Sequence, residues 1–353
     1  MTNFASWISP DVLRVLGWTL LHFLWQGAGL AALFAVAITA SRSAAARYGI
    51  AVATLVLMMA SPVITFMWVR GQTNPAVGHE KRGAHSLPVT PEKDAIVAAR
   101  SSAPLASSDS AGSSAVVWLV EAWFFGVLLL SLRTAGGLLL ISRMRRKGTE
   151  SVGRDLYERC LALERRMGLD RVIRYCECSR LDAPAVLGWF RPVVLLPLRA
   201  LSGLTEVQIE AVIAHELAHI RRLDGFVNLF QIAVETLLFY HPAVWWVSQR
   251  VRTERENCCD DEAIAVCGDR LNYARALTLM EEWRTAPSLM MAANRGPLAE
   301  RVLRLLGVSG ASGPMRMAGL GMGVVCLMSA VLAGHAFLAV ANARLGAGTP
   351  VPQ

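Results

Sequence analysis

Four stretches of the chain are apolar for long enough to cross a lipid bilayer. A membrane-spanning helix needs about 20 predominantly apolar residues in succession. The four stretches are Val15–Ala40, Tyr48–Val69, Ala115–Ile141 and Met317–Val340. The first is too long for the apolar core of a signal peptide and ends without a clean small-residue cleavage site, so it is predicted to stay in the protein. The pattern therefore predicts a polytopic α-helical membrane protein.

These stretches divide the chain into five predicted parts. Residues 1–70 hold two transmembrane helices, 71–114 form an extracytoplasmic loop, 115–141 hold the third transmembrane helix, 142–314 form a soluble domain, and 315–353 hold the fourth transmembrane helix and a short tail. The loop is rich in Ser, Ala, Pro and Gly, so it is predicted to be flexible and to carry no core.

The soluble domain mixes helical and strand-like patterns, which predicts an α+β fold. Predicted helices cover Arg154–Met167, Arg270–Trp283 and Leu298–Leu306, and predicted strands cover Val172–Cys178 and Pro192–Pro197. Another helix is predicted to begin at Thr205 and to run past His219, because Thr205 and Gln208 form a capping-box pattern ahead of apolar residues at helical spacing.

Positive charges beside the apolar stretches set the predicted orientation. Arg42 and Arg47 lie between the first two stretches, and a basic cluster from Arg143 to Lys147 follows the third. Short loops rich in Lys and Arg face the cytoplasm, so the soluble domain is predicted to be cytoplasmic and the protein to lie in the cell membrane. The 71–114 loop carries four basic residues of its own, which weakens this argument.

Charge and cysteine content narrow the range of partners. The net charge of +8 would suit nucleic acid or an anionic membrane surface. No recognition-helix or aromatic stacking pattern accompanies the charges, so the bilayer is the expected partner and direct nucleic-acid binding is not. The seven cysteines are odd in number and irregularly spaced, which predicts reduced thiols. Cys258 and Cys259 are predicted to be buried small residues that do not bind metal.

The candidate chemistry lies in the run His215-Glu216-Leu217-Ala218-His219. Two histidines four residues apart share one helical face, so both imidazoles can reach a single Zn²⁺. Glu216 can face water activated by that ion and take its proton, which is catalytic chemistry of a metalloprotease. The alternative is a pair of surface histidines on an ordinary helix.

A later acidic stretch offers the third ligand that a catalytic zinc site usually has. Glu256 and Asp260 lie four residues apart on a predicted helix, so Glu256 can bind the metal while Asp260 orients a histidine. Glu254 points about 200° away round that helix and is a weaker candidate. The alternative for this stretch is a solvated charged face. His241 is a candidate to stabilise an oxyanion or, alternatively, a structural histidine.

The apolar segment between the two motifs, Phe226–Val247, is almost long enough to cross the membrane. A crossing would put His219 and Glu256 on opposite sides of roughly 30 Å of hydrocarbon, where they could not bind the same ion. The segment is therefore predicted to be a helix that is buried or lies at the membrane interface and that ends near His241 and Pro242.

These motifs together resemble the BlaR/MecR-type membrane metallopeptidases, which are bacterial antirepressor proteases. The similar segments are His215–His219 with Asp224, Tyr240–Pro242, Arg252–Asp260, and the upstream Pro184–Gly188 and Arg191–Pro197. The resemblance covers about residues 15–340 and includes the arrangement of four spans.

The resemblance implies a gluzincin-like zinc metalloprotease domain with His215, His219 and Glu256 on the metal. It also implies that Asp224 supports a ligand, although a helix-ending aspartate is the alternative, and that Val193–Leu196 is an edge strand that pairs with substrate. The best-known members carry a β-lactam-binding sensor domain after the fourth span. This chain stops at Gln353, so β-lactam sensing by this chain is not expected.

The expected function is that of a membrane zinc endopeptidase in signal transduction. Its expected substrate is a cytoplasmic regulatory protein, for example a winged-helix transcriptional repressor, or the chain itself. A general quality-control protease for membrane proteins would share the same site. A non-enzymatic transducer with structural zinc would normally need a fourth protein ligand, and the sequence offers three good ones.

Overall fold

A computed structural model describes residues 9–73, 109–146, 149–179, 181, 183–188, 190–283 and 297–308. The fourth predicted span and nearly all of the 71–114 loop lie outside the described residues. The described residues are mostly helical, with one small mixed sheet. The chain divides into two compact units, one from residues 1–24 and 60–126 and the other from residues 25–59 and 127–353.

Three long apolar helices account for the first three predicted spans. They are α1 (Pro10–Ala40), α2 (Ala44–Thr73) and α3 (Asp109–Arg146). All of α1, residues 44–71 of α2 and residues 116–139 of α3 are long and apolar enough to cross a membrane. Each helix extends beyond the apolar stretch that predicted it, because polar residues at its ends continue the helix.

In the first unit, α1 and α3 pack closely at Gly17. A Cβ atom on Gly17 would overlap the side chain of Val116, and Val120, one turn further along α3, is fully buried. Small residues let neighbouring membrane helices approach each other closely. This contact therefore requires the missing side chain of glycine.

The second unit contains the remaining elements. They are β1 (Thr149–Ser151), α4 (Arg154–Met167), β2 (Arg174–Cys178), β3 (Ala185–Leu187), β4 (Val193–Pro197), α5 (Leu198–Gly203), α6 (Glu206–Arg221), α7 (Asp224–Leu237), α8 (Pro242–Cys267), α9 (Arg270–Trp283) and α10 (Pro297–Leu305). The predicted bounds of α4 and α9 are those of the structure. Neither β1 nor α5 was predicted from the sequence.

The sheet has the strand order β1-β2-β4-β3, in which β2 and β4 are parallel and the outer pairs are antiparallel. All five residues of β4 are buried. The expectation that Val193–Leu196 forms an edge strand is wrong, because β4 pairs with β2 on one side and with β3 on the other. A strand buried on both faces has a continuous apolar sequence, and within the described residues β3 is the strand beside β4 with an unpaired edge.

The helix that carries both histidines, α6, runs through the core of the second unit. The predicted capping box is present: the Thr205 amide donates to Gln208 Oε1 at 2.9 Å, and the Gln208 amide donates to Thr205 Oγ1 at 3.4 Å. Ile213 and Leu217 of α6 are fully buried in one core cluster with β-strand residues and with α9. Cap and core together fix the position of α6.

The apolar segment Phe226–Val247 forms two helices and a turn. The first helix, α7, ends at Leu237, and α8 begins at Pro242, where His241 Nδ1 accepts a hydrogen bond from the Ala243 amide at 3.2 Å. Proline suits the first position of a helix because its missing N–H would be unpaired there anyway. The segment is not among the described helices long and apolar enough to cross a membrane, and α8 returns to pack against α6.

Candidate metal site

His215 and His219 lie one turn apart on α6, with their ring centroids 4.8 Å apart. His215 is buried and His219 is partly exposed. Their shared face follows from the four-residue spacing, since helical side chains at that spacing lie one above the other. Both Nε2 atoms point towards the same residue of α8, Glu256.

Glu256 completes a group of three that could hold one metal ion. Its Oε2 lies 3.5 Å from His215 Nε2, and its Oε1 lies 3.9 Å from His219 Nε2. The ligand atoms of the three residues all lie within 4.8 Å of one another. Ligands at about 2.0–2.2 Å from a tetrahedral zinc ion are roughly 3–4 Å apart, and two histidines with one glutamate are a known catalytic ligand set. The sequence-predicted ligands therefore come together with a chemistry that fits zinc.

The second nitrogen of His215 is held inside the domain. His215 Nδ1 lies 2.9 Å from the hydroxyl of Tyr273 on α9 and 3.2 Å from Asp260 Oδ1. The Tyr273 hydroxyl donates to Asp260 Oδ1 at 2.6 Å, and Arg301 of α10 donates to both oxygens of Asp260, at 2.6 and 2.9 Å. With acceptors on this side, the ring keeps its proton on Nδ1, so Nε2 is the nitrogen that would bind a metal ion after losing its own proton.

Electrostatics at this side of the site favour charged carboxylates. Burial disfavours the charge on Glu256, but the hydrogen bond with His215 and the neighbouring positive charges lower the pKa of Glu256 to about 2. Burial alone would lower the pKa of His215, but its hydrogen bonds with Asp260 and Glu256 raise that pKa to about 9. Arg301 also lies 3.5 Å from Glu256, so the protein holds an ionised carboxylate ready beside the two rings.

The second nitrogen of His219 is held by Asp224, the first residue of α7. His219 Nδ1 lies 2.8 Å from Asp224 Oδ2, and the other oxygen of Asp224 accepts a hydrogen bond from the Tyr48 hydroxyl at 3.2 Å. Arg222 forms an ion pair with Asp224 at 3.7 Å. Leu223, just before Asp224, adopts a left-handed backbone conformation with φ of 58°, and this turn brings the carboxylate back under the ring.

Cys259 gives an alternative group of metal-binding atoms with His219 and Asp224. Its Sγ lies 3.3 Å from His219 Nδ1 and 3.4 Å from Asp224 Oδ2. Burial and the negative charges of Asp224 and Glu256 raise the pKa of the Cys259 thiol, so the thiol stays protonated, whereas metal binding needs the thiolate. The group of His215, His219 and Glu256 is therefore the better metal site. As predicted, Cys258 and Cys259 are both buried.

The three ligand residues line a cavity of about 730 Å³ together with Glu216. Glu216 is partly exposed and follows His215 directly, so its carboxylate shares the cavity with the ligand atoms. The same cavity is bordered by Val186 and Leu187 of β3 and by Phe226 of α7. An open space beside three ligands leaves room for water and substrate, which a closed structural metal site does not.

Two other residues considered from the sequence lie elsewhere. His241 caps α8 through Nδ1, and a Cβ atom on Gly27 of α1 would lie 2.8 Å from its Nε2; it is not one of the residues that line the cavity. Its role with an oxyanion stays a prediction. Glu254 accepts hydrogen bonds from Arg47 at 2.8 Å and from Asn257 at 3.1 Å, on the side of α8 away from the ligand atoms.

Sequence reasoning missed Tyr48, Tyr273 and Arg301. Tyr273 and Arg301 lie on helices that were predicted, but their approach to Asp260 depends on how α9 and α10 pack. One signal was present, since a carboxylate without a partner is costly to bury and a nearby cation was to be expected for Asp260. No comparable signal pointed to Tyr48, which stands in an apolar stretch far from the motifs.

Comparisons with known proteins identify the family of the chain. The chain matches the family model described as BlaR1 peptidase M56 over residues 28–305. It is similar to the regulatory protein BlaR1 of Bacillus licheniformis, with 22% identity over 174 residues that cover 49% of this chain and 29% of that protein. It is also similar to the methicillin resistance mecR1 protein of Staphylococcus aureus, with 23% identity over 158 residues that cover 44% and 27% of the two chains.

The aligned parts span less than a third of the length of these curated relatives. The family model, in contrast, extends over well more than half of this chain and includes α6, α7 and α8 with all the candidate ligands. The resemblance inferred from the sequence motifs is confirmed. The chain belongs to the BlaR1 peptidase M56 family of membrane proteins.

Proposed function

We propose that this chain is a membrane-bound zinc endopeptidase that cleaves a cytoplasmic regulatory protein, or itself, in signal transduction. His215, His219 and Glu256 would hold the zinc ion, and Glu216 would act as general base. The observation that carries the proposal is the convergence of the three ligand atoms in an open cavity that Glu216 shares. Membership of a peptidase family supports it.

The residues of the chain have distinct tasks in this reaction. Zinc, when bound, supplies Lewis acidity towards a peptide carbonyl and towards water. Glu216 takes the proton of the attacking water and passes it to the leaving amine. Asp260 and Asp224 keep the two imidazoles oriented with Nε2 towards the ion. Arg301 keeps Asp260 and Glu256 ionised by its positive charge.

The free edge of β3 is the proposed place where an extended substrate binds. Val186 and Leu187 of this strand border the cavity. An extended peptide can add to an open strand edge through backbone hydrogen bonds. Leu223, Phe226 and Leu229 border the same cavity, so apolar substrate side chains are favoured beside the cleaved bond. A protein substrate fits such a site better than a small polar molecule.

The site is proposed to face the cytoplasm. Arg47 and Tyr48, at the start of α2, contact Glu254 and Asp224, so the site lies on the side where α1 connects to α2. That connection carries Arg42 and Arg47, and short basic loops stay cytoplasmic. The proposed layout keeps residues 142–314 inside and the 71–114 loop outside, with the fourth span within residues 315–353.

The test compares the full chain with Glu216→Ala and with the double variant His215→Ala/His219→Ala. Wild type and Glu216→Ala are expected to bind about one zinc ion per chain, and the double variant none. When a winged-helix repressor is co-expressed, new N-termini of the repressor are expected in cells with the wild-type chain. They are not expected in cells with Glu216→Ala or with the double histidine variant. A winged-helix repressor is the first substrate class to test, because antirepressor proteases are part of the family resemblance.

Two results would contradict the proposal. Equal zinc content in wild type and the double histidine variant would remove the metal assignment. Identical protein N-termini across the cell with wild type and with Glu216→Ala would remove the endopeptidase assignment. New N-termini in many unrelated membrane proteins would instead favour a quality-control protease, since a signalling protease cuts few sites.

A further inference from the structure

The first two turns of α2 contact residues that adjoin the candidate metal ligands. The Tyr48 hydroxyl donates a hydrogen bond to Asp224 Oδ1 at 3.2 Å. The other oxygen of this carboxylate, Asp224 Oδ2, lies 2.8 Å from His219 Nδ1. One carboxylate therefore joins a residue of an apolar, membrane-length helix to an imidazole at the candidate metal site. Tyr48 is partly buried and Asp224 is 3% exposed, so water competes little with this chain of hydrogen bonds.

A second contact fixes the ring of Tyr48. The guanidinium carbon of Arg222 lies 4.7 Å from the centre of the Tyr48 ring, and Arg222 also pairs with Asp224 at 3.7 Å. A cation over an aromatic face is attracted by the ring electrons. Tyr48 thus contacts Asp224 through its hydroxyl and the neighbouring cation through its ring, and it fixes the orientation of the carboxylate from two directions.

The residue before Tyr48 makes a parallel contact with α8. Arg47 Nε donates to Glu254 Oε1 at 2.8 Å, and its Nη1 donates to the Arg42 carbonyl at 3.1 Å. Glu254 is two residues before the candidate ligand Glu256 and also accepts from Asn257. Adjacent residues of α2 therefore contact both the support of His219 and the helix that carries Glu256.

We propose that Tyr48 is a positioning residue of the metal site, which acts through Asp224 on His219 and makes metal affinity depend on the position of the start of α2. This inference rests on the proposed function, because it assumes that His219 binds the metal. A helix of membrane-spanning length that touches a ligand's support provides a direct mechanical route from the bilayer to the active site. Any shift of α2 that separates Tyr48 from Asp224 removes the hydroxyl hydrogen bond of Asp224 Oδ1 and leaves that oxygen with the longer Arg222 contact of 3.7 Å.

The expected effect is measurable as metal affinity. Loss of an outer partner of a metal ligand typically lowers metal affinity about 10- to 100-fold. Tyr48 acts one step further out than Asp224, so Tyr48→Phe is expected to weaken zinc binding by about tenfold, at the low end of that range. Tyr48→Leu also removes the aromatic ring under Arg222 and is expected to weaken zinc binding further.

The experiment measures the zinc dissociation constant of the full chain in detergent micelles by competition with a chelator. The matched control is Tyr157→Phe, which removes the hydroxyl of an exposed tyrosine on α4 and is expected to leave zinc affinity unchanged. Tyr48→Phe is also made in an Asp224→Ala background, where no side-chain oxygen at position 224 remains to accept from Tyr48, and there it is expected to have little further effect. Coupled residues give such non-additive changes, whereas independent residues give additive ones.

The inference is overturned if Tyr48→Phe binds zinc as tightly as wild type, or if its effect is the same in the Asp224→Ala background. A lower melting temperature of the metal-free Tyr48→Phe protein with unchanged zinc affinity would also overturn it, because a merely structural role has that signature. Failure of the wild type to bind zinc would overturn the proposed function first, and the two failures are thereby distinguishable.

Discussion

The two histidines of the site are supported by different parts of the molecule. His215 is buried, and its Nδ1 faces Asp260 and Tyr273, which α8 and α9 provide, with Arg301 behind them. His219 is partly exposed, and its Nδ1 faces Asp224, whose other oxygen accepts from α2. One candidate ligand thus has its support from α8, α9 and α10, whereas the support of the other also contacts a helix of membrane-spanning length.

This difference separates stability from control within one small site. A buried ionic network without access to water is rigid, and loss of one member costs much stability. The His219 side combines a longer ion pair, a residue with left-handed backbone conformation and a contact from α2. Regulation is expected to use the side that can change without loss of the fold, which is the side of His219.

The largest expected loss of unfolding free energy comes from a substitution on the His215 side, Asp260→Ala. Asp260 is fully buried and accepts both hydrogen bonds of Arg301. Among the described residues, Asp260→Ala leaves the Arg301 side chain with Glu256, at 3.5 Å, as its ion-pair partner. Removal of one partner of a buried ion pair typically costs about 3–5 kcal/mol. A decrease of that size is expected in the free energy of unfolding, measured by chemical denaturation of the full chain in micelles.

The comparison variant is Asp224→Ala on the His219 side. Arg222 keeps Glu262 as a neighbour at 3.6 Å when Asp224 is removed, so the expected loss is smaller, about 1–3 kcal/mol. Both variants are expected to weaken zinc binding, because each removes the carboxylate that orients an imidazole. An equal loss of unfolding free energy in the two variants would contradict the division of the site into a rigid and an adjustable side.

Local sequence signals predicted the elements of this site better than its long-range contacts. The capping box at Thr205 and the apolar spacing after it fixed α6, and the spacing of His215 and His219 placed both rings on one face. Glu256 followed from the need for a third ligand. These inferences depend on residues close in sequence, where helix geometry determines which side chains meet.

Strand order and distant contacts were beyond such reasoning. The apolar run Val193–Leu196 is compatible with a central strand and with the edge strand that the family resemblance implied. The sheet order shows that it is a central strand. Tyr48 and Arg301 approach the site from 176 and 41 residues away from their carboxylate partners. Nothing in the local pattern of either segment fixes which buried carboxylate it meets.

A substitution in the backbone turn on the His219 side is expected to change the free energy of unfolding by a smaller amount. Leu223 has a φ of 58°, which is unfavourable for a residue with a bulky side chain, and its side chain is 41% exposed. Asparagine tolerates this conformation, so Leu223→Asn is expected to raise the free energy of unfolding by about 1 kcal/mol. The matched control is Leu229→Asn, at a similarly exposed position inside α7.

Leu229→Asn is expected to lower the free energy of unfolding slightly, because asparagine is a weaker helix former than leucine. If both variants were destabilised equally, the left-handed turn would not store strain. In that case the His219 side would carry no backbone strain at Leu223, and this difference from the His215 side would be lost.

The smallest expected effect on the free energy of unfolding concerns a buried carboxylate outside the site that has a tyrosine hydroxyl, and not an arginine, as its hydrogen-bond donor among the described residues. Glu164 on α4 accepts a hydrogen bond from the Tyr175 hydroxyl at 2.7 Å, and burial raises its pKa although that bond and the charge of Arg165 oppose the shift. The folded chain therefore holds the proton more tightly than the unfolded chain, so Glu164 contributes less to stability as pH rises from the unfolded pKa through the raised folded pKa. Glu164→Gln keeps an acceptor for Tyr175 and cannot ionise. The stability of Glu164→Gln relative to wild type is expected to be greater at pH 8 than at pH 4, measured as the difference in unfolding free energy between the two proteins. A difference independent of pH would contradict this expectation, because it would show that folding leaves the pKa of Glu164 unshifted.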